Sequence, residues 1–266
     1  MVPSIYGFES NPDGFSIWWD LVGRFLISRH GDVAFQRMVG VSDDLLRLPL
    51  ASCILAIAAQ IKGRFMLHAN AVNICGRGVL LIGEKGAGKS TLTAALLSRG
   101  HMLLSDDAAA LTIMSDNSVM VYRGCLQLKL WPDSVAKYAE ATAGNHRAMH
   151  DHCEKRIVWA NEYASTLDKV PVSRIYLLAN GSKLLTRRLT AAESWRKIYA
   201  HTYAALFRES FLEPHSRGEH FFQCTSLARI VGVTLLERTK TFEETDDVVA
   251  AIEKDIGCGP PQKRTD

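Results

Sequence analysis

None of the six cysteines in this 266-residue chain pairs as C-x-x-C. Cys53, Cys75, Cys125, Cys153, Cys224 and Cys258 are scattered, several of them in apolar runs. That spacing excludes a zinc-ribbon or dithiol framework, and reduced, mostly buried thiols are expected. The N-terminus (MVPSIYGFES) has neither a basic start nor an apolar stretch, so no secretory signal is expected. The longest apolar run, Leu48 to Ile61, is interrupted by Ser52 and Gln60. It falls short of the roughly 20 residues that span a bilayer and suits a buried helix. Charge of one sign is also lacking: the formal net charge is +3, with no basic stripe, which argues against a nucleic-acid partner. There is no internal repeat and no low-complexity tract. A soluble cytoplasmic protein with no membrane association is the expectation. The length allows one large domain with an appendage.

What is present is sharper. Gly83-Glu84-Lys85-Gly86-Ala87-Gly88-Lys89-Ser90 is a complete G-x-x-x-x-G-K-S phosphate-binding loop. Its backbone N–H groups are suited to phosphate oxygens, Lys89 to the outer phosphates and the Ser90 hydroxyl to Mg²⁺. The flanks fit. Val79–Ile82 reads as a buried strand, Ser90–Leu97 (including Thr91) as a helix, and Gly100 as its stop. The helix dipole then favours negative charge at the loop. The expected class is α/β, with a mixed sheet and flanking helices around this loop.

Along the rest of the chain, strands are expected at Ser16–Val22, Arg24–Ser28, Val33–Arg37 and Phe65–Ile74. A long helix is expected from the cap Ser42-Asp43-Asp44 to Ile61. His101–Leu104 reads as a strand delivering Ser105-Asp106-Asp107, and residues 108–130 as two or three more strands. Trp131-Pro132-Asp133 opens a helix. Val170–Leu178 reads as a strand, Ala191–Phe207 and Asp246–Ile256 as helices. Residues 141–156, rich in His and basic side chains, read as a mobile loop suited to act as a lid. His146, His150, His152 and Cys153 could also ligate a transition metal, but no second ligand group is evident and the loop reading is simpler. The expected organisation is an N-terminal unit of strands and helix over 1–62, a catalytic unit over 63–257 and a disordered tail over 258–266.

A phosphate loop alone specifies nucleotide binding; transfer needs a metal-binding acid and a group acting on the acceptor. Asp106 and Asp107 are the candidates, at a strand end next to the loop. Adjacent residues there point to opposite sides, so one can face the metal and the other an incoming hydroxyl. His68 in a strand is, on the bare sequence, more often a satisfied core residue than a functional one.

His68-Ala69-Asn70-Ala71-Val72, the loop 15 residues beyond His68, the turn Arg99-Gly100-His101 and the pair Asp106-Asp107 together resemble the catalytic domain of HPr kinase/phosphorylase and its shorter relatives. The resemblance is sharp over 64–112 and looser over 120–180 and the C-terminal helix. It implies an ATP-dependent kinase acting on a serine hydroxyl of a protein or peptide, with ATP and Mg²⁺ as cofactors. By that resemblance Lys89 binds phosphate, Ser90 and Asp106 ligate Mg²⁺, Asp107 is the general base and His68 sits beside it. There are departures. Val121-Tyr122 stand where the family has a glutamate metal ligand before Arg-Gly, and the later motif tied to phosphorolysis has no counterpart. The short layout is more similar to the HPr-kinase-related enzymes of lasso peptide biosynthesis, which phosphorylate a precursor serine. A homo-oligomer stays open, as do two other functions: a small-molecule hydroxyl kinase and a non-catalytic, nucleotide-gated binding module. Lys85 could touch phosphate or be a solvated turn residue, and Arg156 could neutralise transferring phosphate or lie on the surface.

Overall fold

Alternating apolar residues build the first layer. In the computed structural model, which describes residues 5–20, 22–138, 146–150, 153–207, 212 and 214–258, four strands pair in sequence as an antiparallel sheet: β1 (Ile5–Asn11), β2 (Gly14–Trp19), β3 (Gly23–Ser28) and β4 (Val33–Arg37). Phe25 and Ile27 of β3 turn inward while Arg24 and Leu26 turn outward, the period of two that a half-buried strand requires. The Ser42 hydroxyl then accepts from the Leu45 N–H and starts α1 (Asp43–Pro49). Pro49 has no N–H to continue the ladder, and the next five residues, Leu50–Ile54, take π-helical spacing before α2 (Leu55–Ile61). The whole run Asp43–Ile61 is long and apolar enough to cross a bilayer by length and composition, and half of its 18-residue window is buried. It extends further than the apolar run read from the sequence. Leu46, Ile54 and Ile57 are buried against Phe15, Ile17, Phe25 and Ile27 of the small sheet, the behaviour of a core helix.

The central sheet carries β5 (Phe65–Leu67), β6 (Asn70–Ile74), β7 (Arg77–Ile82), β8 (Met102–Ser105), β9 (Ala109–Ile113) and β10 (Val119–Tyr122), with α3 (Lys89–Ser98) between β7 and β8. A separate three-stranded sheet follows: β11 (Gln127–Leu130), β12 (His146–His150) and β13 (Cys153–Trp159), ordered β11-β13-β12, with α4 (Pro132–Lys137) after β11. β14 (Lys169–Asn180), β15 (Leu185–Arg188) and β16 (Thr234–Arg238) return to the central sheet. The helices α5 (Ala191–Ala200), α6 (Tyr203–Leu206), α7 (Pro214–Ile230) and α8 (Thr245–Ile256) complete the described chain. β7 pairs parallel with β14, and β14 with β16; β6 lies antiparallel between β7 and β8. The C-terminal ends of β7, β8, β14 and β16 and the start of β6 therefore share one edge of the sheet. That edge is where open α/β sheets bind ligands.

Val79 to Ile82 are fully buried because both faces of β7 are covered. Val79 and Leu81 meet Leu92, Leu96 of α3 and Val249, Ile252 of α8. Leu80 and Ile82 meet Ile198 of α5 and Leu227 of α7 on the other side. The fold is thus an α/β phosphate-loop core with a mixed sheet and flanking helices, as expected.

Several expectations change. The strand Phe65–Ile74 is two strands, broken at His68 and Ala69, where the chain passes from β9 to β7 as its partner. The helix Ala191–Phe207 is also two, because Thr202 takes extended backbone and its hydroxyl caps α6. Within the loop expected over 141–156, the described residues 146–150 and 153–156 are paired strand, with Ala148 opposite Arg156 and His150 opposite Cys153 across β12 and β13, and the rest of that segment lies outside the described residues. Polarity hid these strands, since neither HRAMH nor the CEKR start of β13 shows an apolar alternation. No group of three metal-ligating side chains occurs among the described residues; His152 and the side chains of His146, His150 and Cys153 lie outside them. The tail 259–266 also lies outside the described residues. Nor are all the cysteines reduced. Cys75, in the β6–β7 turn, and Cys258, after α8, are joined as a disulfide with Cα atoms 6.3 Å apart. Their separation of 183 residues gave no local signal.

Candidate active site

The loop between β7 and α3 needs left-handed backbone, and glycine supplies it at Gly86 (φ 83°) and Gly88 (φ 90°). A Cβ on Gly83 would come within 2.9 Å of the Leu178 carbonyl. Lys89 folds back over the loop: its Nζ donates to the Gly83 carbonyl at 2.7 Å. Residues 85–91 line a cleft of about 550 Å³ together with His68, Asp107, Lys129, Trp131, Lys155 and Arg238. Gly83 and Glu84 are not among the lining residues. They shape the loop from behind, with the Glu84 carbonyl accepting from the Ala87 N–H at 3.0 Å.

The two aspartates part company, as adjacent residues at a strand end should. Asp106 is 1% exposed, and neither of its carboxylate oxygens has a hydrogen-bond partner. Burial, with Asp107 beside it, pushes its carboxyl well above the usual range. An unpaired buried carboxylate demands an explanation, and a cation is the one its chemistry fits. Its backbone is fixed: the Asp106 N–H donates to the Cys125 carbonyl at 2.7 Å. Gly124 passes so close to Ser105 that a Cβ there would lie 2.6 Å from its hydroxyl oxygen.

Asp107 instead faces the cleft from left-handed backbone (φ 63°), a region that aspartate tolerates better than most residues. Four groups hold it. Its N–H donates to Asn70 Oδ1 at 3.3 Å, and its carbonyl accepts from His68 Nδ1 at 3.0 Å and from the Tyr203 hydroxyl at 3.1 Å. Lys129 Nζ donates to its carboxylate at 2.6 Å. Asn70 also donates to Thr93 on α3 at 3.0 Å, which ties the turn to the loop helix. Burial works to raise the Asp107 carboxyl, but the Lys129 ammonium, with His68 and Lys89 behind it, holds it well below the usual carboxylate range. Burial equally opposes the charge on Lys129, and Asp107 keeps that ammonium protonated.

His68 thus sits beside the candidate base but bonds its backbone, not its carboxylate. Burial lowers the His68 pKa despite Asp107, so the ring is neutral near pH 7 and donates through Nδ1. Of the strand β13 cations, Lys155 and not Arg156 lines the cleft; it stands over the Trp131 ring at 5.4 Å. Neighbours on a strand face opposite ways, which separates the two.

A depressed carboxylate contributes stability that is present above its unfolded pKa and lost as pH falls through its folded value. Lys129→Met removes the main charge depressing Asp107. Its folded pKa then rises, so the acid limb of a pH–activity profile is expected to move to higher pH, as is acid unfolding. A profile unchanged by the substitution would contradict the role given to this ion pair.

The turn Arg99-Gly100-His101 has a different job. Arg99 Nη2 and His101 Nε2 both reach Glu253 of α8, at 2.8 and 3.0 Å, and Glu253 is 5% exposed. This clasp fastens α8 to the α3–β8 connection, away from the cleft. Glu253→Ala is expected to cost about 1–3 kcal/mol in denaturant unfolding, since it leaves the buried His101 ring without its partner, and to leave nucleotide affinity unchanged.

Sequence reasoning missed Lys129, Asn70, Tyr203 and Arg238. Lys129 carried a signal: it is a lone lysine inside the apolar strand Leu128-Lys129-Leu130. Tyr203 and Arg238 come from distant segments whose approach no local pattern records.

The fold and the cleft define a phosphate-loop α/β protein with a carboxylate pair at the loop. Residues 59–126 match the family model described as the HPr Serine kinase C-terminal domain. An HPr kinase/phosphorylase of Caldicellulosiruptor bescii is 38% identical over 61 residues, covering 23% of this chain and 20% of that protein. One from Stenotrophomonas maltophilia is 46% identical over 56 residues, covering 21% and 18%. The solved HPr(Ser) kinase/phosphatase of Coxiella burnetii aligns over 72% of this chain and 95% of its own, with 15% identity and a TM-score of 0.37. The protein is HPr kinase-like through its loop-bearing segment, and it spans about a fifth of the length of the curated relatives it matches.

Proposed function

We propose that the protein is a cytoplasmic kinase that transfers the γ-phosphoryl group of ATP to a serine hydroxyl of a peptide or protein. The observation that carries this reading is the shared cleft: the loop from Lys85 to Thr91, His68 and Asp107 line it, with the unpaired carboxylate of Asp106 buried nearby. In this reading the loop and Lys89 hold the β- and γ-phosphates. Ser90 and Asp106 would hold Mg²⁺, which supplies charge neutralisation on the phosphates when bound. Asp107 accepts the proton of the acceptor hydroxyl as the oxygen–phosphorus bond forms and the bond to the leaving diphosphate breaks. His68 and Asn70 fix the turn that aims Asp107. Most of the rate then comes from positioning and electrostatics. Residues 1–62 form the N-terminal unit in this scheme and 63–257 the catalytic one. A precursor peptide of the lasso type is the particular substrate we propose within that class.

Purified protein, Mg²⁺ and γ-labelled ATP are incubated with serine-containing peptides, with hydroxyl metabolites in a parallel arm. Label on a peptide serine is the expected result. Label only on metabolites, or normal ATP binding with no acceptor labelled, overturns the peptide-kinase reading.

A further inference from the structure

Arg238 ends β16 at the ligand-binding edge, on the side of β7 opposite Asp106 and Asp107. It is 4% exposed, yet it lines the cleft. Among the described residues no carboxylate lies within ion-pair distance of it, and Glu244 favours its charge only from further off. Nη1 donates to the Thr239 carbonyl at 3.1 Å and Nη2 to the Ala87 carbonyl of the phosphate loop at 3.3 Å, and Nε has no partner at all. The guanidinium lies so close to Gly88 that a Cβ at that position would collide with it. Burying a cation with no counter-ion in contact is costly, and an anion in the cleft would complete it. The rest of the lining agrees. Lys85, Lys89, Lys155 and Lys240 add positive charge to the same cleft.

We infer that Arg238 is a phosphate-binding residue: its counter-ion is the phosphate chain of the bound nucleotide, gripped from the β16 side while Lys89 grips it from within the loop. The inference rests on the nucleotide-binding reading above and adds a residue that the loop motif does not contain. Arginine suits the task, because its planar donors match phosphate oxygens and it stays charged when buried. It also makes the loop sensitive to occupancy. The guanidinium already holds the Ala87 carbonyl, so a phosphate on its free Nε joins loop, strand end and ligand in one network.

The test uses the full chain and two variants, Arg238→Met and Arg238→Lys, with affinities for ATP, ADP, pyrophosphate and adenosine measured by calorimetry and melting temperatures with and without each. Arg238→Met is expected to weaken ATP and ADP by about 10- to 100-fold, to weaken pyrophosphate likewise and to leave adenosine unchanged. Arg238→Lys is expected to restore part of the loss. The ligand-free melting temperature of Arg238→Met is expected to change little, because losing the two carbonyl contacts offsets removing a buried charge with no counter-ion in contact. The proposal fails if Arg238→Met binds ATP as wild type does, or if the ligand-free protein melts lower while Arg238→Lys, folded as wild type, binds normally. Wild type that binds no nucleotide would instead sink the kinase reading itself.

Discussion

Asp107→Asn is expected to lower phosphoryl transfer by about 10²- to 10⁴-fold while ATP affinity stays within about tenfold. The amide keeps the shape of the side chain and loses its basicity. The backbone contacts that hold the turn, from Asn70, His68 and Tyr203, do not involve the carboxylate and persist. Lys129 loses its counter-ion, so the variant is also expected to be less stable. The Lys129 and Asp107 side chains are 17% and 22% exposed, which leaves water to screen part of that loss. Single-turnover transfer and equilibrium binding on the same preparation separate the two effects. Transfer at the wild-type rate would remove Asp107 from the chemistry.

Lys89→Ala should fail differently. Its ammonium is buried and waits on the Gly83 carbonyl, 2.7 Å away, inside the cradle. Burial lowers its pKa, opposed by Asp107, Asp106 and Glu84, so the carboxylates help keep it charged for an incoming polyanion. Removing it takes away a charge-assisted contact to phosphate in both ground state and transition state. Affinity for ATP is expected to fall about 100-fold, with transfer falling further. The contrast between the variants is the diagnostic: one binds and does not transfer, the other does neither well. Equal effects on binding and transfer from both would contradict the division of roles.

How far the sequence revealed this site follows from the range of each signal. The phosphate loop was legible because strand, glycines, lysine and helix are consecutive, and each residue type is fixed by local backbone or charge. Asp106 and Asp107 were legible as a pair, and their opposite directions followed from strand geometry. Which one turns to the cleft was decided by left-handed backbone at Asp107, which a sequence does not display. His68 was readable only through resemblance. In the structure its neighbour is a carbonyl, so spacing alone could not have told its partner. β16 was not expected, because five residues of mixed polarity give no period, and Arg238 went with it. α7 was missed for a related reason: Pro214, Gly218 and the exposed Phe221 and Phe222 blur its apolar face. The β12–β13 pairing was hidden by polarity, and the Cys75–Cys258 link by the length of chain between its ends.

The Tyr203 hydroxyl reaches two carbonyls, Ser52 in the amino-terminal helical run at 2.9 Å and Asp107 at 3.1 Å. It has a single hydrogen to give. The two carbonyls share that hydrogen, and Asp107 has a second donor in His68. The phenol therefore bridges the amino-terminal helical run and the acidic turn, so the first layer of strands and helix helps seat the candidate base.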